Sequence, residues 1–404
     1  MKRYALALVV LTCCVFHTNA QTGNVEDVIH RVADNIIANT SYQFIDTKTR
    51  AVAGSVTELP ADGDIKAQSR YNKWEYANGV MMIGMLKAAG ALDKKEYAGY
   101  VYRNFEFVFK NAGYFKEQYI RNPHTEWAPL FRMGALDDCG AMAAALADVV
   151  NGGVGDRRYR EYLEKVADYI LHKQSRLDDG TLCRTFPRKM TIWADDLYMS
   201  VPFLARMGRM TGDNKYFDDA IQQVLNFNRH LYDPATGLYF HCWFSDVAGN
   251  GVAHWLRCNG WVAMAQVELL NNLPASHPRR NELIQLLTRQ LVGMARYQDQ
   301  GGLWHQVMDK PDSYLETSGT AMFVYAVARA VNEGWIPATY KSIAIEGWKQ
   351  LTEKVRTDGS VEDVCIGTGI ADNISFYYNR PKVLNDFHVS GAILLAGTEM
   401  LRLK

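Results

Sequence analysis

The strongest constraint in this 404-residue chain is an internal repeat. Six times, a polar cluster opens a run of small and apolar residues, and matched positions in successive clusters lie 58 to 70 residues apart. A repeat of that length holds two helices and their loops. Runs that are apolar almost all round predict helices buried on every side. The matched positions are Tyr76, Asp137, Asp195, Arg257, Glu316 and Asp386.

An amphipathic stretch with charges at helical spacing precedes each apolar run and predicts an outer helix. These stretches are 24–39, 94–111, 156–174, 214–230, 278–298 and 338–355. Six outer helices around six inner ones predict an all-α protein, an (α/α)6 barrel or six-hairpin toroid. An open solenoid of helix pairs shares the repeat signal. We favour closure because six pairs complete a ring and the last inner run carries no polar capping repeat.

Charge and linker content restrict the function and the domain organisation. Lys+Arg and Asp+Glu both total 44, which leaves no net charge to attract nucleic acid or an anionic membrane. Because no Pro/Ser-rich linker interrupts the repeats, residues 21–404 are predicted to form one catalytic domain.

The N-terminus has the form of a secretory signal peptide, predicted over residues 1–20. Lys2 and Arg3 precede an apolar run, and small residues lead to an exit at Ala20. The run is too short to span a membrane. Lipid attachment at Cys13 or Cys14 is less favoured, because Thr12 and Cys13 are poor residues before a lipidated cysteine. We therefore expect export to the periplasm or the medium.

Five of the seven cysteines lie beyond the signal peptide, at positions 139, 183, 242, 258 and 365. An odd, scattered set without CxxC spacing argues against a disulfide scaffold and against a zinc site. We expect no metal and no cofactor. One disulfide remains open, since nothing in the sequence selects a pair.

Two acidic pairs open neighbouring apolar runs, Asp137-Asp138 in the second repeat and Asp195-Asp196 in the third. Adjacent inner helices are expected to bring both pairs into one cup. Carboxylates crowded in a partly dry site cannot all ionise, so one pKa rises and that group can act as a general acid. Glycoside chemistry commonly uses such carboxyl pairs. A local interpretation is also open, in which the acids cap helix N-termini and stabilise the helix dipoles.

The fourth repeat places His241, His254, Arg257 and Trp261 within 21 residues. Their spacing matches no compact metal-ligand pattern. Arg257 and Trp261 are four residues apart and share one helical face. A guanidinium beside an aromatic ring suits a sugar carboxylate and its pyranose ring. A salt bridge between loops and a core Trp would explain the same residues. The residues alone indicate an exported α/α barrel that handles saccharides.

Seven stretches run nearly end to end and resemble glycoside hydrolase family 105, the unsaturated rhamnogalacturonyl and glucuronyl hydrolases, with family 88 as a more distant relation. They are WEYANGV (74–80), LDDCG (136–140), WADDLYMSVPF (193–203), GLYFHCW (237–243), HWLRCNGWVAMAQVELLNNLP (254–274), GGLWHQVMDKPDSYLETSGTAMFVYAVARAV (301–331) and NDFHVSGAILLAGTEM (385–400). The resemblance implies a metal-free (α/α)6 barrel. It also implies release of terminal Δ4,5-unsaturated uronic acids from oligosaccharides made by polysaccharide lyases. In that reaction an acid protonates C4, water adds at C5, and the hemiketal collapses.

The resemblance also assigns roles to residues. It makes Asp195 the catalytic acid and Asp137 its supporting carboxylate. The residues implied to bind the sugar are Trp74, Tyr76, His241, Arg257 and Trp261, together with Asp196 and Arg184.

Two of these residues depart from the family pattern. Asp196 stands where many members have Gly, so an exchange of roles between Asp195 and Asp196 stays open. Arg184 stands where many members have His, and we expect it to contact a carboxylate or the aglycone.

Two other classes of function remain as alternatives. One is an epimerase or inverting glycosidase acting on saturated sugars. The other is a saccharide-binding barrel without catalysis, against which the intact Asp137, Asp195 and His241 argue. The expected partner is an oligosaccharide with a terminal unsaturated uronate. The choice between galacturonyl and glucuronyl, the aglycone and the oligomeric state stay open.

Overall fold

The computed structural model describes residues 25–59 and 64–403. The predicted signal peptide, with Cys13 and Cys14, lies outside these residues. The α-helices in the described part are α1 (25–38), α2 (Tyr76–Ala91), α3 (Lys95–Arg121), α4 (Ala128–Arg132), α5 (Gly140–Asn151), α6 (Arg157–Asp168), α7 (Val201–Thr211), α8 (Asn214–Leu231), α9 (Leu256–Asn272), α10 (Arg280–Ala295), α11 (Thr317–Asn332), α12 (Lys341–Lys354), α13 (Ile374–Tyr378) and α14 (Ser390–Arg402).

Six helices form a closed inner ring. In chain order, α2, α5, α7, α9, α11 and α14 each pack against the next, and α14 packs back against α2. This last contact distinguishes a toroid from an open solenoid and confirms the predicted (α/α)6 barrel. The inner helices are buried nearly all round, as their composition predicted: ten of the twelve residues of α5 are buried.

The outer ring consists of α1, α3, α6, α8, α10 and α12, and it closes through α1. Arg31 Nη1 of α1 donates a hydrogen bond to the carbonyl of Val355, just after α12, at 2.7 Å. On its other side, His30 Nδ1 lies 2.6 Å from the hydroxyl of Tyr97 on α3. Helix α1 therefore lies between α12 and α3 and completes the outer ring.

The outer helices form because apolar and polar residues recur at helical spacing along their sequences. Each helix therefore has one buried face and one solvent-exposed face. In α6, the buried residues Tyr159, Tyr162, Leu163 and Val166 stand at positions i, i+3, i+4 and i+7, which lie on one face of a helix. The Asp156 carboxylate accepts a hydrogen bond from the backbone N–H of Arg158 and caps the start of the helix.

Short strands link the helices at one end of the barrel. They are β1 (Phe44–Asp46), β2 (Val52–Ala53), β3 (Ile65–Ala67), β4 (Thr191–Trp193), β5 (Tyr232–Asp233), β6 (Leu238–Tyr239), β7 (Cys242–Phe244), β8 (Gly249–Asn250), β9 (Trp304–His305), β10 (Leu315–Glu316), β11 (Val364–Cys365) and β12 (Lys382–Val383). Their antiparallel sheets have the orders β2-β1-β3, β4-β7-β8, β5-β6, β9-β10 and β11-β12. The β4–β7 pair sets Trp193 opposite Cys242 and so brings the third repeat beside His241.

Two element boundaries differ from the sequence expectation. The acidic pairs lie on single 3₁₀ turns, Leu136–Asp138 and Ala194–Leu197, that precede the inner helices. Helix α7 begins only at Val201, with Pro202 in its first turn, where a missing N–H costs nothing. Helix α3 continues past residue 111 to Arg121, because the buried Phe115 packs against Trp127 with ring centroids 4.1 Å apart.

None of the helices in the described part of the chain is long and apolar enough to cross a bilayer. The five cysteines at positions 139, 183, 242, 258 and 365 are all buried and unpaired. The disulfide that the sequence left open is therefore not formed among the described residues.

The inner ring leads to a stability prediction. A methyl group on Gly140, the first residue of α5, would lie 1.6 Å from the carbonyl oxygen of Met199. Gly140→Ala is expected to lower the free energy of unfolding by about 2–3 kcal/mol through overpacking. Gly90→Ala, in the last turn of α2, has no neighbour within 4 Å of the added carbon. It should raise stability by about 0.5–1 kcal/mol. Urea unfolding followed by circular dichroism measures the stability of both variants. Equal effects would contradict the close backbone contact between Gly140 and Met199.

Candidate active site

The polar residues that open the inner runs meet at one end of the barrel. A methyl group added to Gly79, near the start of α2, would lie 2.5 Å from the backbone of Ala141 at the start of α5. Added to Gly391 of α14, it would lie 2.6 Å from Met81 N of α2. Inner helices that touch at their first turns run parallel, so the turns before them converge. This parallel arrangement produces the shared cup that was expected from the sequence.

Arg184 joins the two acidic turns. Its Nη2 lies 3.0 Å from Asp137 Oδ1 and 2.6 Å from Asp196 Oδ1, while its Nε lies 2.9 Å from Asp196 Oδ2. The guanidinium also lies over the Trp193 ring, 4.1 Å from its centroid. The backbone pairs Arg184 with Thr191, which fixes the position of the arginine beside β4. In this structure Arg184 contacts two aspartates of the protein itself, and its expected contact with a substrate carboxylate or the aglycone stays a prediction.

The three carboxyls of this cluster differ in accessibility. The side chain of Asp137 is 32% exposed, that of Asp195 14%, and that of Asp196 1%. Asp196 lies behind Arg184, which engages both of its oxygens. Only Asp137 and Asp195 are placed to meet a molecule that enters from solvent.

The carboxyls also differ in proton affinity. Burial raises the pKa of Asp196 to about 6 despite the opposing charge of Arg184, and the charges of Asp137 and Asp195 add to the rise. Burial likewise raises the pKa of Asp137 against the effect of Arg184. For Asp195 burial also favours the neutral form, but His241 and Arg184 outweigh it and lower the pKa. Burial and crowding thus raise the pKa of Asp196 and Asp137, while that of Asp195 is lowered, and acid–base sites use such a separation of pKa values.

His241 supports Asp195 from beneath. Its Nε2 lies 3.0 Å from Asp195 Oδ2, within ion-pair distance, although the alignment is not that of a hydrogen bond. Its Nδ1 lies 2.8 Å from the hydroxyl of Tyr377, and the imidazole is fully buried. The histidine is thus held on one side by Tyr377 and meets the candidate acid on the other.

Tyr76 lies among the charged groups of the site. Burial raises the pKa of its hydroxyl, the charges of Asp137 and Asp195 raise it further, and the charge of Arg257 lowers it. Its ring meets Trp261 edge to face at 6.4 Å. Tyr76, the two accessible carboxyls and Arg257 therefore belong to one electrostatic neighbourhood.

Arg257 is 1% exposed and carries a charge that no carboxylate neutralises directly. Its Nη1 donates to the carbonyl of Cys365 at 2.5 Å and to Ser318 Oγ at 3.2 Å, and its Nη2 donates to the carbonyl of Ile366 at 2.7 Å. No Asp or Glu of the described residues lies within ion-pair distance. The structure does not present the free two-pronged fork expected from sequence, but it leaves a buried positive charge beside Tyr76.

Trp74 is separate from these residues. It is 1% exposed and packs against Phe105, Phe109 and Tyr162. Its Nε1 donates to the carbonyl of Asp138 at 3.1 Å. The indole supports the acidic turn from the core, so its predicted contact with the sugar is not presented by this structure. The motif does not show that Trp74 turns into the core while Tyr76, which begins helix α2, turns toward the site.

Sequence reasoning also left out residues that the fold adds to the site. Tyr377 contacts His241, and His388, with Asp386, contacts Tyr76. The Asp-x-His spacing at 386–388 was the available signal, because an Asp two residues before a His can hold its ring. No group of three or more His, Cys, Asp or Glu side chains in residues 25–59 and 64–403 is arranged to hold a metal ion.

The Arg184 bridge leads to a second prediction. Arg184→Met leaves Asp196 buried without its partner, and is expected to cost about 3–5 kcal/mol of folding free energy at neutral pH. The loss should shrink as the pH falls toward about 5, because a carboxyl with a raised pKa contributes stability that disappears as pH rises through that pKa. Arg188→Met removes a more exposed ion pair with Asp246 and should cost less than about 1 kcal/mol. Chemical denaturation at two pH values measures both variants; a pH-independent loss for Arg184→Met would contradict this account.

Comparison with known proteins agrees with the barrel fold. The model of Glycosyl Hydrolase Family 88 matches residues 49–404. The unsaturated rhamnogalacturonyl hydrolase YesR of Bacillus subtilis (strain 168) is 34% identical over 238 residues, which cover 56% of this chain and 66% of that protein. An unsaturated 3S-rhamnoglycuronyl hydrolase of Alteromonas sp. (strain LOR) is 29% identical over 215 residues, 52% of this chain and 51% of that protein. The matches thus span less than two thirds of either relative.

Solved structures extend the similarity over nearly the whole chain. A possible member of the GH105 family from Klebsiella pneumoniae subsp. pneumoniae MGH 78578 superposes with a TM-score of 0.77 at 25% identity, covering 94% of this chain and 93% of that one. The unsaturated glucuronyl hydrolase of Bacillus sp. GL1 shares the fold, with a TM-score of 0.62 at 14% identity and coverage of 96% and 97%. These matches confirm the resemblance to families 105 and 88. The chain belongs to glycosyl hydrolase family 88.

Proposed function

We propose that this protein releases a terminal Δ4,5-unsaturated uronic acid from oligosaccharides by hydrating the C4=C5 double bond. The observation that carries the proposal is the pairing of two accessible, crowded carboxyls with the buried guanidinium of Arg257, which has no carboxylate of the described residues within ion-pair distance. The carboxyls suit proton transfer, and the guanidinium suits a substrate that is itself an anion. The names of the two curated relatives combine rhamnose with a uronic acid, so rhamnose-linked uronides are the first substrates to test.

Asp195 is the proposed proton donor. It delivers a proton to C4, water adds at C5 and returns a proton to the carboxyl cluster, and the hemiketal then opens to release the aglycone and a 5-keto-4-deoxyuronate. Binding of a uronate raises the pKa of Asp195, because the substrate adds a like charge and its ring excludes water. The near-complete burial of Asp196 behind Arg184 supports Asp195 over Asp196. Asp137, with its raised pKa, completes the proton-sharing pair.

Arg257 is proposed to attract the substrate carboxylate mainly through its charge. Its two terminal nitrogens hold the carbonyls of Cys365 and Ile366, and its Nε makes no hydrogen bond with a described residue. Tyr76 is the aromatic residue of the proposed sugar-binding surface. Trp261 is 1% exposed and packs edge to face against Tyr76 from the core, so the sugar stacking expected of it is not presented by this structure.

We also propose that the protein is exported. The support is the N-terminal pattern of Lys2-Arg3, an apolar run and a small-residue exit near Ala20. Lyase products outside the cytoplasm would then meet the enzyme where they form. N-terminal sequencing of the mature protein tests the predicted cleavage.

The function is tested by the loss of ultraviolet absorbance of the C4=C5 chromophore with lyase-generated oligosaccharides. The panel includes pectic rhamnogalacturonan, arabinogalactan and glycosaminoglycan fragments. The same sugars reduced at the double bond are the controls, and because they lack the chromophore their hydrolysis is followed by chromatography of the released aglycone. We expect turnover of at least one unsaturated fragment and none of the reduced controls. Hydrolysis of saturated uronides would favour an inverting glycosidase, and binding without turnover would favour a non-catalytic barrel.

Three isosteric variants test the carboxyl roles. Asp195→Asn keeps the shape of the site but removes the proton donor, so kcat should fall by about 10²–10⁴-fold. Asp196→Asn should chiefly lower thermal stability, because its carboxylate meets Arg184 and not solvent. A larger loss of kcat in Asp196→Asn or Asp137→Asn than in Asp195→Asn would reassign the donor. Circular dichroism confirms that each variant is folded before its kcat is compared.

A further inference from the structure

Two side chains of the last repeat, Asp386 and the buried His388, form a chain of contacts to Tyr76. His388 Nε2 lies 2.6 Å from the Tyr76 hydroxyl, and His388 Nδ1 contacts Asp386 Oδ1. His388 is 2% exposed, and its ring stacks on Phe387 with centroids 4.2 Å apart. The backbone N–H of His388 also donates to Asp386 Oδ1, at 3.2 Å. These contacts fix the imidazole in position and orientation.

The chemistry of the three groups fixes where the protons lie. An ionised carboxylate can only accept hydrogen bonds, so Nδ1 of His388 carries the proton that faces Asp386. The other nitrogen of a neutral imidazole is then an acceptor, and the Tyr76 hydroxyl must donate to it. Burial and the charge of Arg257 lower the pKa of His388 to about 4, which keeps the ring neutral near pH 7.

The direction of this chain determines what Tyr76 offers to a ligand. Once its proton points at His388, its oxygen presents only lone pairs toward the neighbourhood of Asp137 and Asp195. A Tyr76 hydroxyl free to rotate would instead turn its proton toward the negative charges of those carboxylates. We propose that Asp386 and His388 are positioning residues that hold Tyr76 as a hydrogen-bond acceptor for a hydroxyl group of the terminal uronate. This role rests on the proposed function.

The first test reads the tautomer of His388 directly, without substrate. Long-range ¹H–¹⁵N spectra of ¹⁵N-histidine-labelled protein should show a neutral His388 with the proton on Nδ1, assigned by its loss in His388→Gln. Asp386→Leu removes the acceptor at Nδ1, so an N–H there would be buried and unpaired. The proton should therefore move to Nε2, facing Tyr76. Asp386→Asn still offers an oxygen to Nδ1 and should keep the native tautomer. A proton on Nε2 in the unmodified protein would overturn the proposal.

The second test is a double-mutant cycle with Tyr76→Phe. Asp386→Leu should lower kcat/KM by about 10–100-fold, the range expected when a buried polar contact is lost, and Asp386→Asn should restore most of it. In the Tyr76→Phe background the same change should cost less than about threefold, because Asp386 acts through the missing hydroxyl. Equal losses in both backgrounds would show a structural role and overturn the proposal.

A matched control comes from another carboxylate–histidine pair. Asp179 Oδ2 lies 2.8 Å from His230 Nε2 without contact to Tyr76. In a double-mutant cycle, the coupling energy between Asp179→Leu and Tyr76→Phe should be zero. If the unmodified enzyme turns over no unsaturated uronide, the proposed function fails, and the tautomer spectra still decide how the chain is arranged. If the enzyme is active and the cycle shows no coupling, the positioning role alone fails.

Discussion

The site depends on how closely the inner helices approach one another at their first turns. At Gly140, the Met199 carbonyl occupies the space that a side chain would need, and Gly79 and Gly391 meet backbone atoms of neighbouring helices at 2.5–2.6 Å from where a side chain would begin. Larger residues there would push the helices apart. Because the acidic turns directly precede these helices, the distance between neighbouring inner helices sets the distance between the carboxyls. Backbone packing and the candidate chemistry are therefore determined by the same few positions.

The far end of the inner ring is held by a different interaction. Arg206 Nε and Nη2 lie 2.9 Å from Asp148 Oδ2 and 2.6 Å from Glu268 Oε2, and Tyr325 donates to Glu268 at 2.6 Å. These contacts join α5, α7, α9 and α11, and the Arg329–Glu399 pair at 3.1 Å continues them to α14. The charge of Arg206 outweighs burial and lowers the pKa of Glu268 to about 2. Glu268 is thus ionised at neutral pH, and the contacts around Arg206 link helices whose other contacts are almost entirely apolar.

The sequence predicted the barrel well because a six-fold repeat leaves few alternatives. It also predicted that Asp137, Asp195, Tyr76 and Arg257 would share one end, since each opens an inner run. It did not predict which way side chains point within a motif. The core position of Trp74 was missed for that reason. The partner of Arg184 was also out of reach, because it depends on the strand pairing that lays this arginine across two acidic turns. The His388 contact required ring closure to be known in detail, as it joins the last repeat to the first inner helix.

The contact between Tyr76 and His388 joins residues 312 positions apart. The acidic turns of the second and third repeats leave the ribosome long before His388 does. The candidate donor and its partner are therefore synthesised well before the group that orients Tyr76, and the assembled site is among the last things that the chain completes. In a circularly permuted chain that begins between α8 and α9, α14 would precede α2 and, with the termini joined directly, the two residues would lie 92 positions apart. In a closed ring, the order of the repeats along the chain therefore affects when the site assembles during folding. The finished site depends only on which repeats are neighbours.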